Sequence, residues 1–196
     1  MHIYANPARF LKIARPLTAW LGMAGWAGIA AASLMQVVWR HPLATLAGRA
    51  IAIPGALFTA LCLATGSLWG SRTWGTWWQW DGRMTSMLVL LFLYFGYMAL
   101  ADADRQRGGD GRITAIFGLI GAINLPIIHY SVLWWRTLHQ GQSIGLTGSS
   151  IDSSMLWPLL VAAVGFTLVF GAIVLMRMRA DLARSKVEAR MRRMAA

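Results

Sequence analysis

Residues 74–83 read WGTWWQWDGR. Four tryptophans, Trp74, Trp77, Trp78 and Trp80, fall within seven positions, and Asp81 and Arg83 follow them. Each indole offers a flat apolar surface and one N–H donor, and a guanidinium pairs well with carboxylates. This is equipment for holding a large, flat ligand with charged edges. If 74–81 is helical, Trp74, Trp77, Trp78 and Asp81 recur at i, i+3, i+4 and i+7 and share one face. Trp80 then sits off that stripe and Arg83 on the far side. Gly75 and Gly82 permit tight turns or close approach at the two ends.

The elements that must position this stretch are membrane spans. The chain has 196 residues, of which 57% are hydrophobic and 13% charged, about half the charged share of an ordinary soluble domain. Five stretches carry no Asp, Glu, Lys or Arg: 17–38, 50–71, 84–101, 113–135 and 153–176. A span needs roughly 20 apolar residues, so the expected architecture is all-α, a polytopic bundle of about five transmembrane helices forming a single domain over 1–196. The Trp-rich stretch becomes a short surface helix or loop at 72–83. No cleaved signal peptide is expected, because the first sixteen residues hold no apolar core followed by a small-residue cleavage site.

The net charge of +11 has a topological cause rather than a nucleic-acid one. Short cytoplasmic loops are enriched in Lys and Arg. Segments 39–49, 102–112 and the tail from 177 lie on one side of a five-span chain and hold twelve of the eighteen positive residues. That side is expected to be cytoplasmic, with the tail forming a helix on anionic lipid. Loops 72–83 and 136–152 then face outward with only Arg72, Arg83 and Arg136. Arg9, Lys12 and Arg15 break the pattern, because an odd number of spans puts them outside.

Several chemistries are unsupported. Cys62 is the single cysteine, so there is no internal disulfide, no CxxCH attachment motif and no zinc pattern. Asp81 and Asp152 are the only carboxylates on the outer side, and no Ser–His–Asp, Walker or dinucleotide pattern is legible. The expected role is carriage or presentation of a ligand, not enzymatic catalysis.

Three ligand classes suit the tryptophans. A porphyrin is a flat plate with two propionates for Arg83 or Arg72. A quinone lacks the carboxylates. A protein partner would use Trp and Arg as anchors. Haem iron also needs an axial ligand, for which neutral imidazole serves. His129, in LPIIHYSVLWW, lies six residues before Trp135, roughly 9 Å below the outer end of the fourth span. Ionisable residues inside spans are uncommon and usually functional. Pro126 is expected to kink that helix and aim the imidazole outward. His139, in the outer loop, is a secondary candidate, as are Arg72 and Trp134. His41 reads as a cytoplasmic interfacial residue and His2 as a remote candidate. Trp20, Trp39, Trp69 and Trp157 read as interfacial belt residues near span ends.

WGTWWQWDGRMTS resembles the tryptophan-rich signature of membrane proteins that handle haem in cytochrome c maturation. NLPIIHYSVLWWRTLHQG, at 124–141, narrows the resemblance to the cytochrome c maturation protein C, or haem exporter protein C, family. The resemblance runs from about Met23 to the end of the fifth span. It implies a bacterial inner-membrane protein that holds a non-covalent, transient b-type haem at the periplasmic face. The haem is then handed to a membrane-anchored periplasmic chaperone, cytochrome c maturation protein E. A small membrane subunit and an ATP-binding cassette pair are the implied partners. Carried over residue by residue, Trp74, Gly75, Trp77, Trp80, Asp81 and Arg83 match the platform, and His129 matches one axial histidine.

The family also implies six spans and a second axial histidine on a segment for which this sequence has no counterpart. ANPARFLKIARPLT resembles the family's cytoplasmic start and AWLGMAGWAGIAAASLMQVVWRHP its second span. An internal deletion near Thr18–Ala19 is the expected reason, and it accounts for the displaced basic N-terminus. The alternative function is a membrane scaffold that docks the chaperone without holding haem.

Overall fold

The computed structural model describes residues 7–135, 137, 139, 144–145, 148–149 and 151–195; of 7–16, 144–145, 148–149, 192 and 195 it describes the backbone alone. His2 and Arg136 lie outside the described residues. Six helices dominate: α1 Pro7–Trp39, α2 Pro42–Thr73, α3 Gly82–Gln106, α4 Arg112–Gly121, α5 Asn124–Trp134 and α6 Ser153–Ala195. An antiparallel pair, β1 Ile144–Gly145 and β2 Gly148–Ser149, is the one addition to the all-α expectation among the described residues.

Five segments are long and apolar enough to cross a membrane: Leu17–Trp39, Pro42–Thr73, Gly82–Gln106, Arg112–Trp134 and Ser153–Met191. They contain the expected spans almost entirely, 113–135 overrunning by one residue. The chain is a multi-pass membrane protein. Helix α1 runs unbroken through Thr18–Ala19.

The breaks between helices follow local rules. Pro42 opens α2 at a position where its missing N–H costs nothing, and the His41 ring accepts the Leu43 N–H at 3.2 Å. Pro126 interrupts the fourth span, but one turn earlier than the proline itself. Its absent N–H leaves the Ala122 carbonyl without its i+4 donor, and the chain turns at Ala122–Ile123 between α4 and α5. The Leu125 N–H satisfies that carbonyl instead, at 3.0 Å.

The core lies among α1, α2, α3 and α4. Trp26, Ile29, Leu90 and Tyr94 are fully buried there. Trp26 meets Tyr94 edge-on at 4.9 Å and Tyr97 at 6.0 Å. Polar groups inside a bilayer need internal partners, and these rings find backbone carbonyls. The Trp26 indole donates to Gly118 O at 3.2 Å and the Tyr94 hydroxyl to Gly22 O at 2.7 Å. Helix α6 packs on the outside, where Phe166 and Phe170 meet Phe58 of α2. The expected basic tail continues α6 as one helix, and Glu188 pairs with Arg105 at the end of α3, 3.0 Å apart.

Candidate functional site

The Trp-rich stretch is a loop, one of the two forms expected for it, and the conditional helical face over 74–81 does not form. The cause is capping chemistry. Trp74 is the C-cap of α2, and Gly75 follows at φ 72°, the left-handed conformation that ends helices and suits glycine. Asp81 is the N-cap of α3, extended at ψ 168°, and its Oδ1 accepts the Met84 N–H at 2.8 Å. Between these stops, the Thr76 hydroxyl donates to Trp78 O at 2.9 Å, and the Ser67 hydroxyl holds Trp77 O.

The loop sorts its tryptophans into two layers. Trp77 and Trp80 are 62% and 68% exposed. Trp74 and Trp78 are half-buried. Trp78 and Trp80 meet edge-on at 5.4 Å. The Trp78 indole N–H is buried with no hydrogen-bond partner among the described residues. Trp69, expected in the interfacial belt, instead backs the loop with its ring edge-on to Trp74 at 4.9 Å. Arg83 is half-buried in the first turn of α3, and Arg72 is exposed in the last turn of α2.

Asp81 does not share an exposed face with the indoles. It is 1% exposed, and its Oδ2 takes Nδ1–H of His139 and the Thr137 hydroxyl. The His139 backbone N–H closes the turn onto Thr137 Oγ1 at 3.0 Å. The His139 ring also stands edge-on to Trp74, 4.9 Å between centroids. Burial pushes the Asp81 carboxyl up, but the bonds from His139, Thr137 and the Met84 N–H outweigh it and hold it at about 2. Asp81 is therefore a carboxylate at any physiological pH.

The structure thus brings Trp74, Asp81 and His139 together and adds Trp69, read from sequence as a belt residue, and Thr137, which sequence reasoning passed over. The signal for Thr137 was its place two residues before His139, a spacing that suits a side-chain turn. His129 stands elsewhere. It is exposed on α5, edge-on to Tyr130 at 4.7 Å, and Tyr130 stacks on exposed Trp134 at 5.7 Å. Gly82 lets α3 start against α5, since a Cβ there would stand 2.9 Å from the Ser131 Cβ. The buried Asn124 side chain donates to Ser86 O at 2.9 Å and ties the same two helices together.

A family model described as Heme exporter protein C matches residues 4–193. The chain is 51% identical over 170 residues to the Heme exporter protein C of Bradyrhizobium diazoefficiens, covering 86% of this chain and 65% of that one. It is 48% identical over 174 residues to the Escherichia coli protein of the same description, covering 89% and 70%. A Paracoccus denitrificans relative so described is 36% identical over 166 residues, with 84% and 69% covered. The chain therefore spans about two-thirds of the length of these relatives. With nearly all of its own length matched, the chain belongs to the heme exporter protein C family.

Proposed function

We propose that this chain binds haem at the periplasmic face of the bacterial inner membrane. It presents that haem to a periplasmic chaperone, cytochrome c maturation protein E, as cargo for c-type cytochromes. The description shared by its relatives supports haem handling. The distribution of positive residues supports the orientation, with the Trp-rich loop outside and the basic arm of α6 inside. A small membrane subunit and an ATP-binding cassette pair are the proposed partners. No covalent bond forms within the chain in this role.

One observation carries the reading: the exposed indoles of Trp77 and Trp80 stand on a loop that a buried Asp81–His139 pair fixes at the start of α3. His129, which matches an axial histidine of the family signature, is the proposed axial ligand, and its ring is exposed on α5, edge-on to Tyr130. His139 is the secondary candidate, because its side chain is only 2% exposed against Asp81. Trp77 and Trp80 supply flat apolar surface for a porphyrin. The buried Trp78 N–H and the Arg83 and Arg72 guanidiniums are donors for its propionates. Bound haem supplies an iron that imidazole can coordinate. A site on an exposed loop favours exchange over permanent retention.

The test is an optical spectrum of the full chain, purified in detergent and titrated with ferric haem. A Soret band is expected in the unsubstituted protein, shifted and weakened in His129→Ala and less changed in His139→Ala. The reverse pattern would move the axial role to His139. An unsubstituted chain that takes up no haem would overturn the reading and leave the scaffold role.

A further inference from the structure

Helix α6 does not stop where its apolar span ends. From Arg177 it continues as one helix to Ala195, and residues 177–196 hold seven basic side chains and two acids. A helix turns by 100° per residue, so this arm has definite faces. Asp181 and Glu188, seven residues apart, share one side of it, and that side meets the bundle. Asp181 is half-buried, and Glu188 pairs with Arg105 at the end of α3. Met178 and Leu182, also half-buried, belong to the same side. On the opposite side Ala180, Ala183, Val187, Met191 and Met194 recur at intervals of three and four and form one apolar stripe. All five are exposed, Val187 and Met191 at 60% and Met194 at 75%. Arg184 borders the stripe on one edge and Arg179, Lys186 and Arg190 on the other, all exposed. Both acids thus face inward, and the outward face is apolar with basic edges.

The depth of the stripe follows from the packing. Phe170 of α6, Tyr94 of α3 and Gly55 of α2 converge on Gly25 of α1, the Phe170 ring 3.3 Å from where a Cβ at Gly25 would stand. Fourteen residues beyond Gly25, α1 ends at Trp39; fourteen residues beyond Phe170 is Arg184. At 1.5 Å per residue the two lie at one level, roughly 21 Å from Gly25. Arg179, Ala180, Ala183 and Arg184 therefore stand at the depth where the α1–α2 hairpin meets the headgroups. Val187, Met191 and Met194 follow within roughly 15 Å. An upright arm carries those three into water. An arm leaning away from the bundle turns its outward face up to the leaflet and seats them. The exposed Arg105–Glu188 pair opposes that lean only weakly.

We propose that this arm is a lipid-binding element. Its stripe enters the boundary between headgroups and acyl chains of the leaflet on its own side, and Arg179, Arg184, Lys186 and Arg190 hold the phosphates of anionic phospholipids. A helix with an apolar face and basic edges is what that boundary takes up, and anionic lipid attracts basic segments next to a span. A second copy of the arm would set basic edges against basic edges. An acidic protein helix matches the charge, but the leaflet already surrounds the residues on which the arm begins. This role is independent of haem.

The test uses the full chain in lipid discs, with Cys62 replaced by Ala and a single nitroxide-labelled cysteine on the arm. Ala183→Cys reports the stripe and Ser185→Cys the side toward the bundle. In discs that mix phosphatidylcholine with phosphatidylglycerol, the label at 183 should be shielded from a water-soluble nickel chelate and reached by oxygen. The label at 185 should stay open to the chelate, as should both labels in pure phosphatidylcholine. Each basic side chain near an anionic surface is worth about fivefold, so Arg179→Gln, Lys186→Gln and Arg190→Gln together should lower the seated-to-free ratio roughly 100-fold. Three charges removed from the same side of the membrane but off the arm, by Arg40→Gln, Arg107→Gln and Arg112→Gln, should leave that ratio nearly unchanged. A label at 183 that stays open to the chelate in mixed discs would overturn the proposal. So would equal losses from the two triple variants, which would reduce the arm to net charge. Shielding that needs a second copy, seen as spin–spin broadening, or added membrane proteins would refute lipid as the occupant. A helical signal kept in both triple variants separates these outcomes from unfolding.

Discussion

Asp81 and His139, fifty-eight positions apart, are joined by a hydrogen bond between Oδ2 and Nδ1. Neither side chain reaches solvent to any extent. A buried carboxylate and a buried imidazole are each costly alone, so each is the condition for the other's burial.

That pairing contributes a pH-dependent part of the protein's stability. The Asp81 carboxyl is held at about 2 against an ordinary 3.8. A depressed acid contributes stability that is full above its ordinary value and is lost as pH falls through its folded one. The shift corresponds to about 2 kcal/mol. Thermal unfolding in detergent should therefore show a component that is flat above about pH 4 and disappears toward pH 2. The difference between unsubstituted protein and Asp81→Asn isolates it. A difference that stays constant from pH 5 down to 2 would refute the assignment.

The two glycines flanking the loop should respond differently to alanine. At Gly82 a Cβ would crowd the Cβ of Ser131 at 2.9 Å and of Trp135 at 3.1 Å, and two packed helices must part. Overpacking of this kind costs about 1–3 kcal/mol. At Gly75 the space is open but φ is 72°, so the cost is backbone strain alone, about 1–2 kcal/mol. Gly82→Ala should also disturb the α3–α5 contact, read as faster hydrogen exchange in 82–86. Equal exchange in the two variants would argue against the close approach.

Trp77 and Trp80 are exposed. Their replacement by Ala should leave the unfolding midpoint within about 0.5 kcal/mol while weakening haem uptake. Trp26→Ala, by contrast, empties a fully buried site and should cost about 3–5 kcal/mol. A Trp77→Ala, Trp80→Ala double variant with unchanged haem affinity would remove these rings from the site.

Tyr94→Phe tests the polar contacts of the core. It deletes the donor to Gly22 O but keeps the ring against Trp26. Hydrogen bonds between membrane helices average about 0.6 kcal/mol and reach about 1.7. A loss of about 1 kcal/mol is expected, read by unfolding in mixed micelles.

Much of this protein was legible in its sequence. Charge-free runs near 20 residues leave the backbone no choice but helix in a membrane, since no other local structure satisfies its own N–H and C=O groups there. Asymmetric Arg and Lys then assign sides. Pro126 announced a break in the fourth span, and Gly75 and Gly82 announced turns at the ends of the Trp-rich stretch. The sequence left 74–81 as a surface helix or loop; it is a loop, because no helix forms between a left-handed glycine and an N-cap aspartate.

What only the tertiary structure decided is which residues meet. Sequence spacing placed Asp81 among the tryptophans and gave no sign of its contact with His139, fifty-eight positions on. His139 lies in a loop with no periodicity to read. Its partner became visible only when α2, α3 and α5 packed, bringing the N-cap of α3 beneath the turn at 137–139. A hydrogen bond between distant segments is set by the packing of the helices that carry them. No pattern within either segment encodes it.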